Sequence, residues 1–152
     1  MRIRRAANDD SDLVATLVFE LIAELSAPKP PSVTKAKVSE TALDLLGDSN
    51  VWAFLAESDT GTPAGILTLN ACAAIYAGGR FGEIAELYVR PPFRSQGVGK
   101  LLIQAAIDFG RAQGWTRLEV CAPPVPPWER SVSFYRQNGF ALLGPRLKLP
   151  LD

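Results

Sequence analysis

Seven consecutive residues, Arg94-Ser95-Gln96-Gly97-Val98-Gly99-Lys100, have the makings of an anion site. An apolar run over residues 84–89 precedes them, and a helical pattern starts at about Val98. The order is strand, tight glycine-rich loop, helix. Backbone N–H groups then point out of the positive end of a helix dipole. Arg94 and Lys100 add charge beside it, and the ligand that suits such a loop carries phosphate. Two common phosphate patterns fail here. A P-loop needs glycine where Arg94 stands and Ser or Thr where Leu101 stands. The dinucleotide pattern needs Gly or Ala where Leu102 stands, and no parallel β-α-β unit opens at this strand. Arg-x-x-Gly-x-Gly remains, and by itself two glycines opening a helix are as often only a tight turn.

A second segment adds weight. After the helix come a strand-like run over residues 117–122, a Pro-rich break over 123–127, a short helix, and Ser133-Phe134-Tyr135-Arg136-Gln137-Asn138-Gly139-Phe140. The first segment resembles the pyrophosphate-binding loop of the GNAT superfamily of N-acetyltransferases. The second resembles that superfamily's Phe-Tyr-x-x-x-Gly-Phe segment, at the same distance and in the same order. The likeness covers residues 83–143 well and the N-terminal half by element order alone. It implies an enzyme that moves acetyl from acetyl-CoA to a primary amine by direct attack. A rival from another class is a catalytically inactive GNAT-fold module that binds coenzyme A as sensor or scaffold. A phosphate-binding module unrelated to acyl transfer would account for the loop but not for the Phe-Tyr segment.

Acetyl transfer from a thioester needs a neutral amine, donors for the oxyanion, and a proton or positive field for the departing thiolate. Tyr135 is the candidate acid, because the resemblance places a catalytic Tyr there; read alone, it is an aromatic anchor. Glu83 and Glu86 are candidate bases, with a water relay as a third route. Glu83 lies eleven residues before Arg94, similar to the catalytic Glu of the histone-acetylating branch. Glu86 sits inside an apolar run, where a carboxylate needs a partner or a shifted pKa. An unbroken strand puts the two on opposite faces, so at most one would face substrate. The resemblance also implies cofactor contacts from the backbone of Leu87, Tyr88 and Val89 and from Arg94, Ser95, Gln96, Gly97, Val98, Gly99 and Lys100. It departs at Trp128 and Ser131, where the family commonly has Asn and Ala.

Composition narrows the field. The chain has 152 residues, with 16 Lys plus Arg against 16 Asp plus Glu. That is one domain's length, and a net charge of zero gives no global attraction to nucleic acid or an anionic membrane. Histidine is absent, which removes Ser-His and Cys-His catalysis and most zinc chemistry. No metal is expected. Cys72 and Cys121 form no metal or redox pair and read as buried, reduced thiols. The basic start, Met1-Arg2-Ile3-Arg4-Arg5, lacks the apolar stretch of a signal peptide. The expectation is a cytoplasmic enzyme acting on a small-molecule or peptide amine.

The elements that must position these groups follow from periodicity. Residues 2–6 suggest a strand. Asn8-Asp9-Asp10-Ser11 starts a helix with a leucine stripe, Leu13, Leu17, Leu21 and Leu25, ended by Pro28. Thr34 caps a second helix that Gly47 closes. Strands are expected over 51–57 and 64–73, joined by a hairpin loop at 58–62, with the second strand central. Residues 78–82 read as a flexible loop. A helix runs from Val98 to Gly114, and a last strand is expected over about 140–149. The order β-α-α-β-β-β-α-β-α-β implies an α+β fold, a mixed and mostly antiparallel sheet with helices on both faces. The resemblance adds a splay between the strands flanking the Gly-rich helix.

Overall fold

The computed structural model describes residues 1–123 and 128–151. Five strands form one sheet in the order β1 (Arg2–Arg5), β2 (Val51–Glu57), β3 (Pro63–Ala74), β4 (Gly79–Val89) and β5 (Leu118–Val120). The first three pairings are antiparallel and β4–β5 is parallel. β3 is central, in keeping with its nearly all-apolar run. Helices α1 (Ser11–Ser26) and α2 (Lys35–Leu46) cover one face. There Val14 and Leu17 pack on Ala53, Leu55, Ile66 and Tyr88. Helix α3 (Val98–Ala112) covers the other, burying Val98, Leu102, Ile103 and Ala106 against Leu67, Leu69 and Ile84. Thr34 caps α2 as expected, accepting from the Lys37 N–H at 3.1 Å.

The core of the α3 face is aromatic. Trp52, Phe109 and Trp115 stack at centroid separations of 4.9–5.6 Å. Trp115 explains Gly82. A Cβ there would lie 2.3 Å from the indole, so any larger residue would push the indole out. Residues 78–82 are therefore not a flexible loop: the turn is shorter, and β4 already starts at Gly79.

Two features of β4 shape the site. It pairs with β5 only from Gly82↔Leu118 to Ile84↔Val120, after which the two strands part. It also carries a bulge. Leu67 faces Leu87 and Leu69 faces Ile84, so Ala85 and Glu86 together oppose Thr68. The extra residue shifts the alternation by one. Ile84 and Leu87 both reach the α3 face although three positions apart, whereas Tyr88 packs under α1.

The expected last strand does not form among the described residues: residues 140–151 pair with no strand. Pro145 and Pro150 lack ladder donors and Gly144 precedes the first of them. Leu142, Leu143, Leu147, Leu149 and Leu151 are all exposed. The chain enters this segment through a short helix α4 (Glu129–Gln137). Of the Pro-rich break before it, residues 124–127 lie outside the described residues.

Candidate active site

The site begins at the first turn of α3. Gly97 takes the N-cap position at φ +81°, and Ser95 before it stands at φ +59°. Both angles lie in the left-handed region, which strains any residue with a Cβ and which glycine alone enters freely. No side chain caps the helix. Its first internal bond runs from the Leu101 N–H to the Gly97 carbonyl at 3.1 Å. The Val98, Gly99 and Lys100 N–H groups therefore have no partner among the described residues, and they face outward from a 15-residue helix. The first turn carries no acid to offset the dipole.

These donors open into a groove of about 780 Å³. Its floor is the end of β4 with Leu87, Tyr88 and Val89. One wall is the loop with Arg94, Ser95, Gly97, Val98, Gly99 and Lys100; another is α4 with Trp128, Arg130 and Tyr135. Leu21, Glu24 and Leu25 of α1 close the far side. The structure thus gathers Tyr135 and all but one of the expected cofactor-binding residues at one place, beside the point where β4 and β5 part. Gln96 does not line the groove; its side-chain amide donates to the Pro92 carbonyl at 2.9 Å, bracing the loop. Glu83 and Glu86, the candidate bases, do not line it either.

The two glycines of the loop do different work. A Cβ on Gly97 would meet nothing within 4 Å and would project into open space. A Cβ on Gly99 would lie 3.0 Å from the Phe134 ring, so Gly99 is the seat that lets α4 dock on α3. Arg94 is also more constrained than its sequence position suggests. Its Nε donates to the Val89 carbonyl at 2.8 Å and its Nη2 to Glu24 at 2.6 Å. The Glu24 carboxylate raises the guanidinium pKa further above its ordinary value.

Tyr135 packs edge-on against Phe134 and Phe140, with centroids at 5.5 and 5.7 Å. Burial pushes its phenol up to about 12, with a smaller contribution from Cys121. The hydroxyl therefore keeps its proton at any physiological pH. Among the described residues it has no hydrogen-bond partner.

Because of the bulge, Glu83 and Glu86 share the face toward α1 and α2, contrary to the expectation for an unbroken strand. Glu86 is the deeper. Burial raises its pKa, and the nearby Glu83 adds to this, while a hydrogen bond from the Thr68 hydroxyl partly opposes it. Thr68 in turn accepts from the Glu86 N–H at 3.0 Å. Glu83 is held from outside: both terminal nitrogens of Arg146 reach Oε1 at 3.1 Å.

The cysteines also differ from expectation. Both are free, but Cys121 is exposed and Cys72 only partly buried, because β5 ends at Val120 and leaves Cys121 beyond the ladder. Sequence reading did not single out Arg130, Glu24 as the partner of Arg94, or Arg146. Arg130 was within reach, since it lies four residues before Phe134 on the same helical stripe. The pairs of Glu24 and Arg146 join residues 70 and 63 apart, and no local pattern announces them.

Comparison with known proteins agrees with this geometry. A model of the Acetyltransferase (GNAT) family matches residues 18–140. A ribosomal-protein-alanine N-acetyltransferase from Brucella melitensis biovar Abortus 2308 is similar in structure at TM-score 0.76 and 24% identity, over 99% of this chain and 100% of that one. An aminoglycoside acetyltransferase from an uncultured soil metagenomic sample, in complex with sisomicin, is similar at TM-score 0.75 and 23% identity, over 99% and 95%. A probable acetyltransferase reaches TM-score 0.82 at 21% identity, over 100% and 99%. No curated protein matches the sequence. With the family model spanning most of the chain, and the loop, the splay and the Phe-Tyr helix assembled around one groove, the protein belongs to the GNAT family of acetyltransferases.

Proposed function

We propose that this acetyltransferase takes acetyl-CoA as its donor and acylates a primary amine, on a small molecule or peptide, by direct attack. The observation that carries the reading is the groove. It joins an uncapped helix N-terminus to the parting of β4 and β5 and to the Tyr135 helix. The residues fit the donor's pyrophosphate: outward N–H groups, Lys100, and a glycine at φ +81° with open space in front of it. Leu87, Tyr88 and Val89 would line the path of the pantetheine arm.

In the reaction the amine nitrogen bonds to the acetyl carbon and the carbon–sulfur bond breaks. Tyr135 donates a hydrogen bond to the departing thiolate. The amine's proton leaves through Glu86, Glu83 or water. Glu86 suits the base role by its raised pKa, but Thr68 occupies one oxygen. An acyl-enzyme on Cys121 is disfavoured, since the chain has no histidine to activate the thiol. The similar structures include a protein-alanine N-acetyltransferase and one bound to an aminoglycoside, which keeps both kinds of amine in view. We place the reaction in the cytoplasm, in keeping with two free thiols. Among the described residues no helix is long and apolar enough to cross a membrane.

Release of free thiol from acetyl-CoA over a panel of amines, with products identified by mass spectrometry, tests the proposal. Turnover dependent on one amine class supports it. Tight coenzyme A binding with no turnover on any amine would favour the inactive sensor module, a reading that Trp128 in the groove wall keeps in play.

A further inference from the structure

We infer that Arg130, on the first turn of α4, is the cation that closes over the pyrophosphate of coenzyme A, a role the sequence pattern gives to Arg94. The inference rests on the acetyl-CoA reading above. Three observations support it. First, Arg94 is committed: Glu24 holds its charge and the Val89 carbonyl holds its Nε, so it ties the loop to α1. Its guanidinium carbon also lies 5.6 Å over the Tyr88 ring.

Second, Arg130 reaches the loop from the opposite wall. Its Nη2 donates to the Ser95 hydroxyl at 3.3 Å, at the left-handed turn that precedes the open helix end. Both Arg130 and Ser95 line the groove. Among the described residues no carboxylate pairs with Arg130, and Glu129, its neighbour in sequence, does not line the groove. Lys100, Arg130 and the α3 dipole thus face one groove, and the acid that lines it, Glu24, is paired with Arg94. Like charges gathered this way repel unless an anion joins them.

Third, α4 opens at Trp128, which lines the groove but carries no charge for phosphate. Arg130, two residues on, offers a planar fork suited to phosphate oxygens. Seating of Phe134 against Gly99 fixes the helix that presents it.

Calorimetric titration with coenzyme A and with 3′-dephospho-coenzyme A tests the assignment on wild type, Arg130→Ala, Arg130→Lys and Arg94→Gln. Arg130→Ala should weaken both ligands by about ten- to hundredfold, the loss of one charge-assisted contact. Arg130→Lys should recover part of that loss, and the melting temperature should not move. Arg94→Gln should cost less affinity. Wild-type affinity in Arg130→Ala, a loss confined to the ligand bearing the 3′-phosphate, or a larger loss from Arg94→Gln would each overturn the assignment. Failure of the wild-type protein to bind either ligand would instead remove the acetyl-CoA reading, and this inference with it.

Discussion

Replacing Tyr135 by phenylalanine removes one hydroxyl and leaves the ring wedged between Phe134 and Phe140. With the phenol at about 12 and a thiol near 8.5, complete proton transfer to the thiolate is uphill by about 3.5 pKa units, or roughly 5 kcal/mol. On the proposed mechanism Tyr135 would therefore act by donating a hydrogen bond to the developing thiolate, with solvent supplying the proton afterwards. A hydrogen bond to a charged partner contributes about 1.5–3 kcal/mol. At about 1.4 kcal/mol per tenfold, Tyr135→Phe should lower kcat by about 10- to 150-fold. The KM for acetyl-CoA should change by no more than about twofold, because ring packing persists. The assay is thiol release with the acceptor found in the amine panel, followed across pH. Below pH 11 the wild-type profile should show no limb from Tyr135. Stability gives an independent readout. The phenol is neutral in both folded and unfolded states below pH 10. As pH rises from 10 to 12 the unfolded chain ionises first, so the fold loses roughly 2–3 kcal/mol there. Tyr135→Phe should lack that alkaline loss. Wild-type kcat in the variant, with the alkaline loss abolished, would refute the donor role and leave Tyr135 an anchor.

Three further outcomes follow from the same geometry. Gly97→Val should abolish coenzyme A binding in calorimetry while the circular dichroism stays native, because the new side chain strains the φ +81° position and fills the space before the helix end; wild-type affinity would remove the loop from the site. Gly99→Ala brings a methyl to 3.0 Å from Phe134 and should shift α4 by a few tenths of an ångström, lowering kcat more than coenzyme A affinity; unchanged kinetics would show that α4 need not be held so closely. Arg4 bridges Asp10 and the buried Glu57, and its hydrogen bonds pull Asp10 from 3.8 to about 2. The resulting stability, up to about 2 kcal/mol before solvent screening, is present above pH 4 and lost as pH falls toward 2; Asp10→Asn should flatten that limb in acid melts, and an unchanged limb would show that other carboxylates carry it.

The features legible in the residues alone are local. Strand β2 begins and ends where its apolar run does, and α2 lies between Thr34 and Gly47, because a hydroxyl cap and a small C-terminal residue act within a turn of their own position. The open N-terminus of α3 was legible for the same reason: Arg94 to Lys100 are contiguous, and a helix end needs no distant partner to expose its N–H groups. The pairing of that loop with Tyr135 was also legible, through two motifs in order. Tertiary structure decided the rest. The bulge opposite Thr68, invisible in the pattern of residues 83–89, moved Glu83 and Glu86 to a common face, since one extra residue reverses every side chain beyond it. Pairing with β3 extended β4 back to Gly79, and Trp115 gave Gly82 a packing role that a glycine-rich stretch does not announce. The leucines of residues 142–151 alternate well enough to suggest a strand, yet prolines deny it a ladder and no neighbour among the described residues pairs with it. Charge was decided latest of all. Arg94 and Glu24 meet across 70 residues, so only the folded chain settles which cation of the groove is already occupied.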